Sequence, residues 1–156
     1  MTGRVCKDMF MRNIRLTKEF SFEAAHSLEG YDGACSQIHG HSYRLYVTIE
    51  GEPLDSPGAP KDGMVMDFGV LKGIVNREII DRLDHSFTIR RTATNGPLIE
   101  MLQSHYTNIH VVDWQPTSEN MLHDMAERLM PALPAGVRLV SLKLYETATS
   151  SAELVL

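Results

Sequence analysis

The stretch FSFEAAHSLEGYDGACSQIHGHSYRLYVTIEG, residues 20–51, decides the fold of this chain. Before it, Ile14 and Leu16 begin an alternation that Phe20, Phe22 and Ala24 continue, interrupted only by Lys18. Successive side chains of a strand point to opposite faces, so this alternation reads as a half-buried strand. His26 falls on the same parity at its end. A polar, glycine-bearing stretch from Leu28 to Gln37 follows. A second strand then places Tyr43, Leu45, Val47 and Ile49 on one face and Ser42, Arg44, Thr48 and Glu50 on the other. Extending the apolar parity backwards reaches His41 and His39. Three histidines thus lie at strand ends, each in phase with an apolar face.

Outward from this pair, PLDSPGAPKDG (53–63) is a turn-rich loop. Met64–Met66 reads as a short strand, and Asp67 as the N-cap of a helix from Phe68 to Leu83. Leu71, Ile74, Val75, Ile79 and Leu83 have helical spacing in it. Residues 84–108 are expected to mix loop with one short helix, and Ile109–Trp114 to form a short strand. After Pro116, Thr117 is the candidate cap of a second helix with the stripe Met121, Leu122, Met125, Ala126, Leu129 and Met130, ended by Pro131 and Pro134. Strands over Val137–Glu146 and Ala152–Leu156 complete an α+β order, an antiparallel sheet with two helices on one face.

The chain has 156 residues, enough for one domain with a sizeable core, here 14–156 behind an N-terminal extension of 1–13. A net charge of −5 argues against broad binding to nucleic acid or to an anionic membrane. No apolar run approaches the ~20 residues that span a bilayer. The first residues carry positive charge without a sustained apolar segment, which speaks against a signal peptide. Two cysteines, Cys6 and Cys35, form no disulfide framework, and a reducing cytoplasm is the default expectation.

The chemistry concentrates in Cys35-Ser-Gln-Ile-His39-Gly-His41 together with His26. Histidines at i and i+2 of a strand project to one side and both reach a single ion. Gly40 removes bulk between them, and His26 supplies a third ligand from the neighbouring strand. Three neutral nitrogens on a tetrahedral zinc ion leave one position open, the catalytic pattern. A lone His-x-His is more often incidental; three in-phase histidines beside a cysteine outweigh that. Cys35 itself reads either as a fourth ligand or as a thiolate base or nucleophile beside the metal. Asp84-His85 is the arrangement of a proton shuttle if the two side chains touch, and otherwise a helix-terminus feature. Glu146 shares parity with Val140, Leu142 and Leu144, and a carboxylate on an apolar face needs a partner. A guanidine-like edge with two N–H groups suits it. His105, His110 and His123 read as surface residues, and Lys18, Arg90 and Arg91 as solvated.

FSFEAAHSLEG (20–30), CSQIHGHSYRLYVTIEG (35–51), DGMVMDFGVLK (62–72), LDHSF (83–87), PTSEN (116–120) and LYET (144–147) together resemble the 6-pyruvoyl-tetrahydropterin synthase / 6-carboxytetrahydropterin synthase family. Six segments in one order make the resemblance specific, from Phe20 to Thr147. It implies a T-fold: a four-stranded antiparallel sheet with two helices, joined edge to edge into a trimeric barrel and stacked as a homohexamer. Barrel closure would satisfy the sheet edges that a lone sheet exposes. It implies active sites at subunit interfaces, His26, His39 and His41 as Zn2+ ligands, and Cys35 as the catalytic thiol. Asp84 and His85 become the second proton-transfer unit and Glu146 the anchor of the pterin 2-amino/N3 edge, with Thr147 and Thr117 lining the pocket. The implied substrate is 7,8-dihydroneopterin triphosphate. Two outcomes are implied: a carbon–carbon lyase making 6-carboxytetrahydropterin, and a triphosphate-eliminating synthase making the pyruvoyl product. A zinc hydrolase and a non-catalytic pterin-binding protein are the further alternatives. The long connection over 86–115 resembles bacterial and archaeal members and favours the carboxy-forming, queuosine branch.

Overall fold

The structure, a computed structural model, describes residues 12–156. The expected extension therefore lies outside the described residues except for Arg12 and Asn13, and so does Cys6. Six strands form one sheet in the order β4-β3-β1-β2-β5-β6. They are β1 (Ile14–Ser27), β2 (His39–Gly51), β3 (Ser86–Arg90), β4 (Ile109–Val112), β5 (Val137–Tyr145) and β6 (Ser151–Val155). Helix α1 (Phe68–Val75) runs through a π-helical turn (Asn76–Ile80) into a last turn (Asp81–Leu83). Helices α2 (Gly96–His105) and α3 (Ser118–Leu129) follow.

β1 and β2 pair antiparallel with Phe22 opposite Tyr43, Ala24 opposite His41 and His26 opposite His39. Residues directly opposite share a face, so the parity read from the sequence becomes one continuous surface. Its apolar part, with Phe22, Tyr43, Leu45, Leu142 and Leu144 almost wholly buried, lies under α1 and α3. Those helices contribute Leu71, Val75, Leu122, Met125 and Leu129, and the π-helical turn adds Ile79. Lys18, the break in the alternation, lays its ammonium 5.8 Å from the Phe20 ring centre and 6.0 Å from that of Phe68. Its stem thereby covers apolar surface while its charge meets two ring faces.

The caps fall where the side-chain chemistry predicts. Asp67 accepts from Gly69 N at 2.6 Å, and Thr117 Oγ1 from Asn120 N at 3.4 Å. Three expectations require correction. The sheet has six strands rather than four, because β3 joins β1 in parallel and β4 joins β3 in parallel, with α2 as the crossover. Ser86–Arg90 carries no alternation that would reveal it, since Ser86, Thr88 and Ile89 are all buried. Met64–Met66 is not a strand: Leu54 and Met64 share a backbone bond at 2.9 Å, but no ladder continues from it. His110 is half-buried rather than freely exposed. Its Nε2 sits 2.7 Å from the Arg82 carbonyl and ties β4 to the end of the α1 segment.

At the far end of β2, buried Glu50 accepts from Arg15 at 2.8 Å, from Arg138 at 2.7 Å and from Asn13 at 3.1 Å. The Arg15 and Arg138 hydrogen bonds hold its carboxyl down at about 2, from an ordinary 4.5. A depressed folded-state value means that this stabilisation is complete above pH 4.5 and lost as pH falls from there toward 2. Glu50→Gln, which carries no charge at any pH, should therefore be less stable than wild type at pH 7 and, followed by circular dichroism, should begin acid unfolding at higher pH than wild type, the difference in stability shrinking toward pH 2. Coincident acid transitions would contradict this.

Candidate active site

The three histidines converge. His26, buried at 3% exposure, together with His39 and His41 offers ligand atoms that all lie within 4.8 Å of one another. The register accounts for this: His26 and His39 face each other across the pair, and His41 sits two residues along, opposite the small Ala24. A Cβ at Gly40 would lie 3.3 Å from the Ala24 carbonyl oxygen, tighter than most such contacts, so glycine suits the close approach of the two strands.

Two of the rings are locked by backbone. His26 Nδ1 lies 2.7 Å from the Pro116 carbonyl and His39 Nδ1 lies 2.8 Å from that of Gln37. A carbonyl only accepts, so each ring donates from Nδ1 and, when neutral, turns a bare Nε2 inward. Those two Nε2 atoms stand 3.0 Å apart, and His41 Nε2 is buried with no partner. Burial, the dominant influence, holds His26 below its ordinary value; the Pro116 carbonyl and the Glu146 charge act in the opposite direction. A neutral imidazole with a fixed tautomer is the form that binds a metal. The donor set fits a zinc-type ion, and its orphaned nitrogen is the observation that tests the fit.

Glu146 follows β5 and keeps the parity of Leu144, which brings Oε1 within 3.4 Å of His26 Nε2 and 3.7 Å of His41 Nε2. Beneath it the Tyr43 hydroxyl is buried, and burial followed by the Glu146 charge pushes it well above its ordinary range. A cavity of about 250 Å³ opens beside the histidines, lined by His26, Cys35, Thr117, Ser118, Glu119 and Glu146 among others. Cys35 is a free, exposed thiol in a short 3-10 turn, anchored by the bond from Leu28 N to its carbonyl at 2.9 Å. Thr147 is turned elsewhere: its hydroxyl accepts from Thr149 N and Ser150 N, and Ser150, Ser151 and Ala152 line the cavity from that segment.

Asp84 and His85 do touch, with His85 Nδ1 3.1 Å from Asp84 Oδ2. The other oxygen, Oδ1, accepts from Glu23 N at 2.9 Å, and His85 N donates to the Glu23 carbonyl at 2.6 Å. This two-point clamp on β1 holds His85 at φ +57, a left-handed backbone rarely adopted by a non-glycine residue. The Glu23 amide, then the His85 contact, keep the Asp84 carboxyl below its usual range. His85 opens onto a different cleft, shared with Glu23, Gly40, His41 and Ser42. One chain therefore brings together Cys35, His26, Glu146 and Thr117 on one cavity, while His85 opens onto another that His41 also lines.

Sequence reasoning missed the backbone partners. The Pro116 and Gln37 carbonyls orient the rings of His26 and His39, and any residue carries a carbonyl, so no side-chain signal marks them. Gln115 was also unmarked: its side chain holds the Glu29 carbonyl at 3.0 Å, tying the segment before α3 to the Cys35 loop. Asn120 in turn holds the Gln115 carbonyl at 2.9 Å.

Residues 15–155 match the family model described as 6-pyruvoyl tetrahydropterin synthase. A protein of Haemophilus influenzae named 6-carboxy-5,6,7,8-tetrahydropterin synthase is 37% identical over 140 residues, 89% of this chain and 96% of its own. A protein of Synechocystis with the same name is 35% identical over 125 residues, 74% of this chain and 96% of its own. In fold, the chain is similar to an uncharacterized Wolinella succinogenes protein, with TM-score 0.76 and 23% identity, covering 92% of this chain and 98% of that one. It is likewise similar to Caenorhabditis elegans 6-pyruvoyl tetrahydropterin synthase, with TM-score 0.65 and 24% identity, covering 94% and 97%. These likenesses identify the T-fold; the sheet of six strands extends the four that the fold expectation named. Among the described residues, no helix is long and apolar enough to cross a membrane.

Proposed function

The chain belongs to the 6-pyruvoyl tetrahydropterin synthase family, and from that premise we propose that it is a zinc-dependent lyase making 6-carboxy-5,6,7,8-tetrahydropterin. The substrate is 7,8-dihydroneopterin triphosphate, and one water is consumed as acetaldehyde and triphosphate are released. The observation that carries this reading is the inward-facing histidine triad with the Cys35 thiol and the Glu146 carboxylate on the adjoining cavity. The names of the Haemophilus and Synechocystis proteins favour the carboxy product.

His26, His39 and His41 would hold the ion. When bound, zinc supplies Lewis acidity to the hydroxyls of the substrate side chain. The remaining work belongs to the protein's own groups. Glu146 accepts the paired N–H groups of the pterin 2-amino/N3 edge, two parallel charge-assisted hydrogen bonds that fix the ring. Thr117 at the α3 cap and, less directly, Thr147 shape the pocket. Cys35 as thiolate takes a proton from one side of the side chain. His85, oriented by Asp84, moves a proton on the other side. Because His85 opens onto a different cleft from Cys35, the second unit is supplied by a neighbouring copy in a homohexamer built as a dimer of trimers. The reaction is placed in the cytoplasm and in queuosine biosynthesis.

The family description favours a second reading, elimination of triphosphate to 6-pyruvoyl-tetrahydropterin on the same residues. Trapping the volatile product separates the two. Acetaldehyde in stoichiometric yield with triphosphate is the expected result. Triphosphate without acetaldehyde would mean the pyruvoyl-forming reaction.

A further inference from the structure

His26 and His39 each give the Nδ1 hydrogen to a backbone carbonyl, so the neutral rings have none for the Nε2 atoms that face each other at 3.0 Å. A carboxylate enters the same space. Glu146 Oε1 stands 3.4 Å from His26 Nε2 and 3.7 Å from His41 Nε2, which is itself buried without a partner. Both separations exceed the roughly 2.7–2.9 Å of a charge-assisted N–H···O bond. Bare nitrogens and an anion turned on one another at these distances repel unless a cation lies among them. Donor atoms about 2.0–2.1 Å from a tetrahedral zinc ion are separated from one another by about 3.4 Å. The three separations, 3.0, 3.4 and 3.7 Å, bracket that edge.

The geometry points to a second position for the carboxylate assigned above to the pterin edge: Glu146 closes the metal centre as a fourth ligand when no pterin is bound, and leaves it to hold the pterin when one arrives. This rests on the pterin-anchor reading for its second half only. The exchange would couple the two events. The centre stays four-coordinate and shielded at rest, and the open position appears only when a pterin has taken the carboxylate away. By linkage, whatever factor the metal takes from pterin affinity, the pterin takes from metal affinity. The turn after β5 permits the movement, since Glu146 is held there through its backbone N–H to the Ser150 carbonyl at 3.1 Å. Its side chain keeps 29% exposure toward the cavity.

The test uses the full chain loaded with cobalt(II), whose visible band reports coordination number, with chelator competition for affinity. Glu146→Ala and the isosteric Glu146→Gln are compared with wild type, and far-UV circular dichroism checks that each is folded. The expected result is a changed band and roughly tenfold or greater weakening of metal binding in both variants without any pterin. Unsubstituted pterin, which has the 2-amino/N3 edge but no side-chain hydroxyls, should move the wild-type band toward that of the variants. An unchanged band and affinity in both folded variants overturns the proposal. Binding of pterin to wild type with no change in the band overturns the exchange. A changed band in the variants with no pterin binding to wild type supports the resting ligand and refutes the pterin anchor instead.

Discussion

His39→Ala is expected to leave the protein folded but without its metal, and to reduce turnover to background. His39 lies at the first position of β2 and is only half-buried, so its loss opens no core cavity. What disappears is the proposed ligand, whose ring is already oriented by the Gln37 carbonyl. Loss of an outer partner of a metal-binding histidine costs roughly 10–100-fold in affinity, and loss of the ligand itself must exceed that. Equilibrium dialysis at micromolar metal should then find close to one ion per wild-type chain and almost none in the variant. A variant that keeps a full complement of metal would remove His39 from the centre. His26→Ala should behave similarly but with a stability cost as well, because His26 is buried and its Nδ1 ties β1 to Pro116.

Cys35→Ala should keep the metal and lose turnover by about 10²–10⁴-fold, the usual contribution of a positioned proton-transfer group. The triad closes around His26, His39 and His41 without the thiol, whereas Cys35 is exposed on the adjoining cavity. Metal content and activity are therefore separable in this variant. If metal were lost with the thiol, Cys35 would be a ligand and the centre a closed one. If activity survived, a hydrolytic mechanism needing no thiol would take its place. Cys35→Ser refines the test, because it keeps the shape and removes the low proton affinity.

Much of this arrangement is legible in the residues. The shared parity of Phe22, Ala24 and His26 with Tyr43, His41 and His39 anticipates a strand pair, and the observed register puts these residues opposite one another. Glu146 follows from the same rule, since a carboxylate in phase with Leu142 and Leu144 must emerge where the apolar face ends. Asp67 and Thr117 are recognisable as caps because short polar side chains satisfy free N–H groups at a helix start. The added strand β3 is hidden for a physical reason: buried on both faces beside β1, it has no polar side to alternate with. The π-helical turn at Asn76–Ile80 is likewise invisible, since it shifts the hydrogen-bond ladder without interrupting the apolar stripe. The clamp from Glu23 onto Asp84 and His85 is made by backbone atoms and by a left-handed φ at a histidine, neither of which has a sequence signature.

His41 belongs to the triad and also lines the His85 cleft, so it links the cavity side of the site to the Asp84–His85 side. The most direct measurement is a single-turnover incubation with 7,8-dihydroneopterin triphosphate, comparing zinc-loaded protein with protein stripped by a chelator, read by mass spectrometry of the pterin product. The account predicts 6-carboxy-5,6,7,8-tetrahydropterin from the loaded protein, none from the stripped protein, and recovery when zinc is restored. Product formed equally well by stripped protein, or unchanged substrate from protein shown to hold both zinc and the pterin, would contradict it.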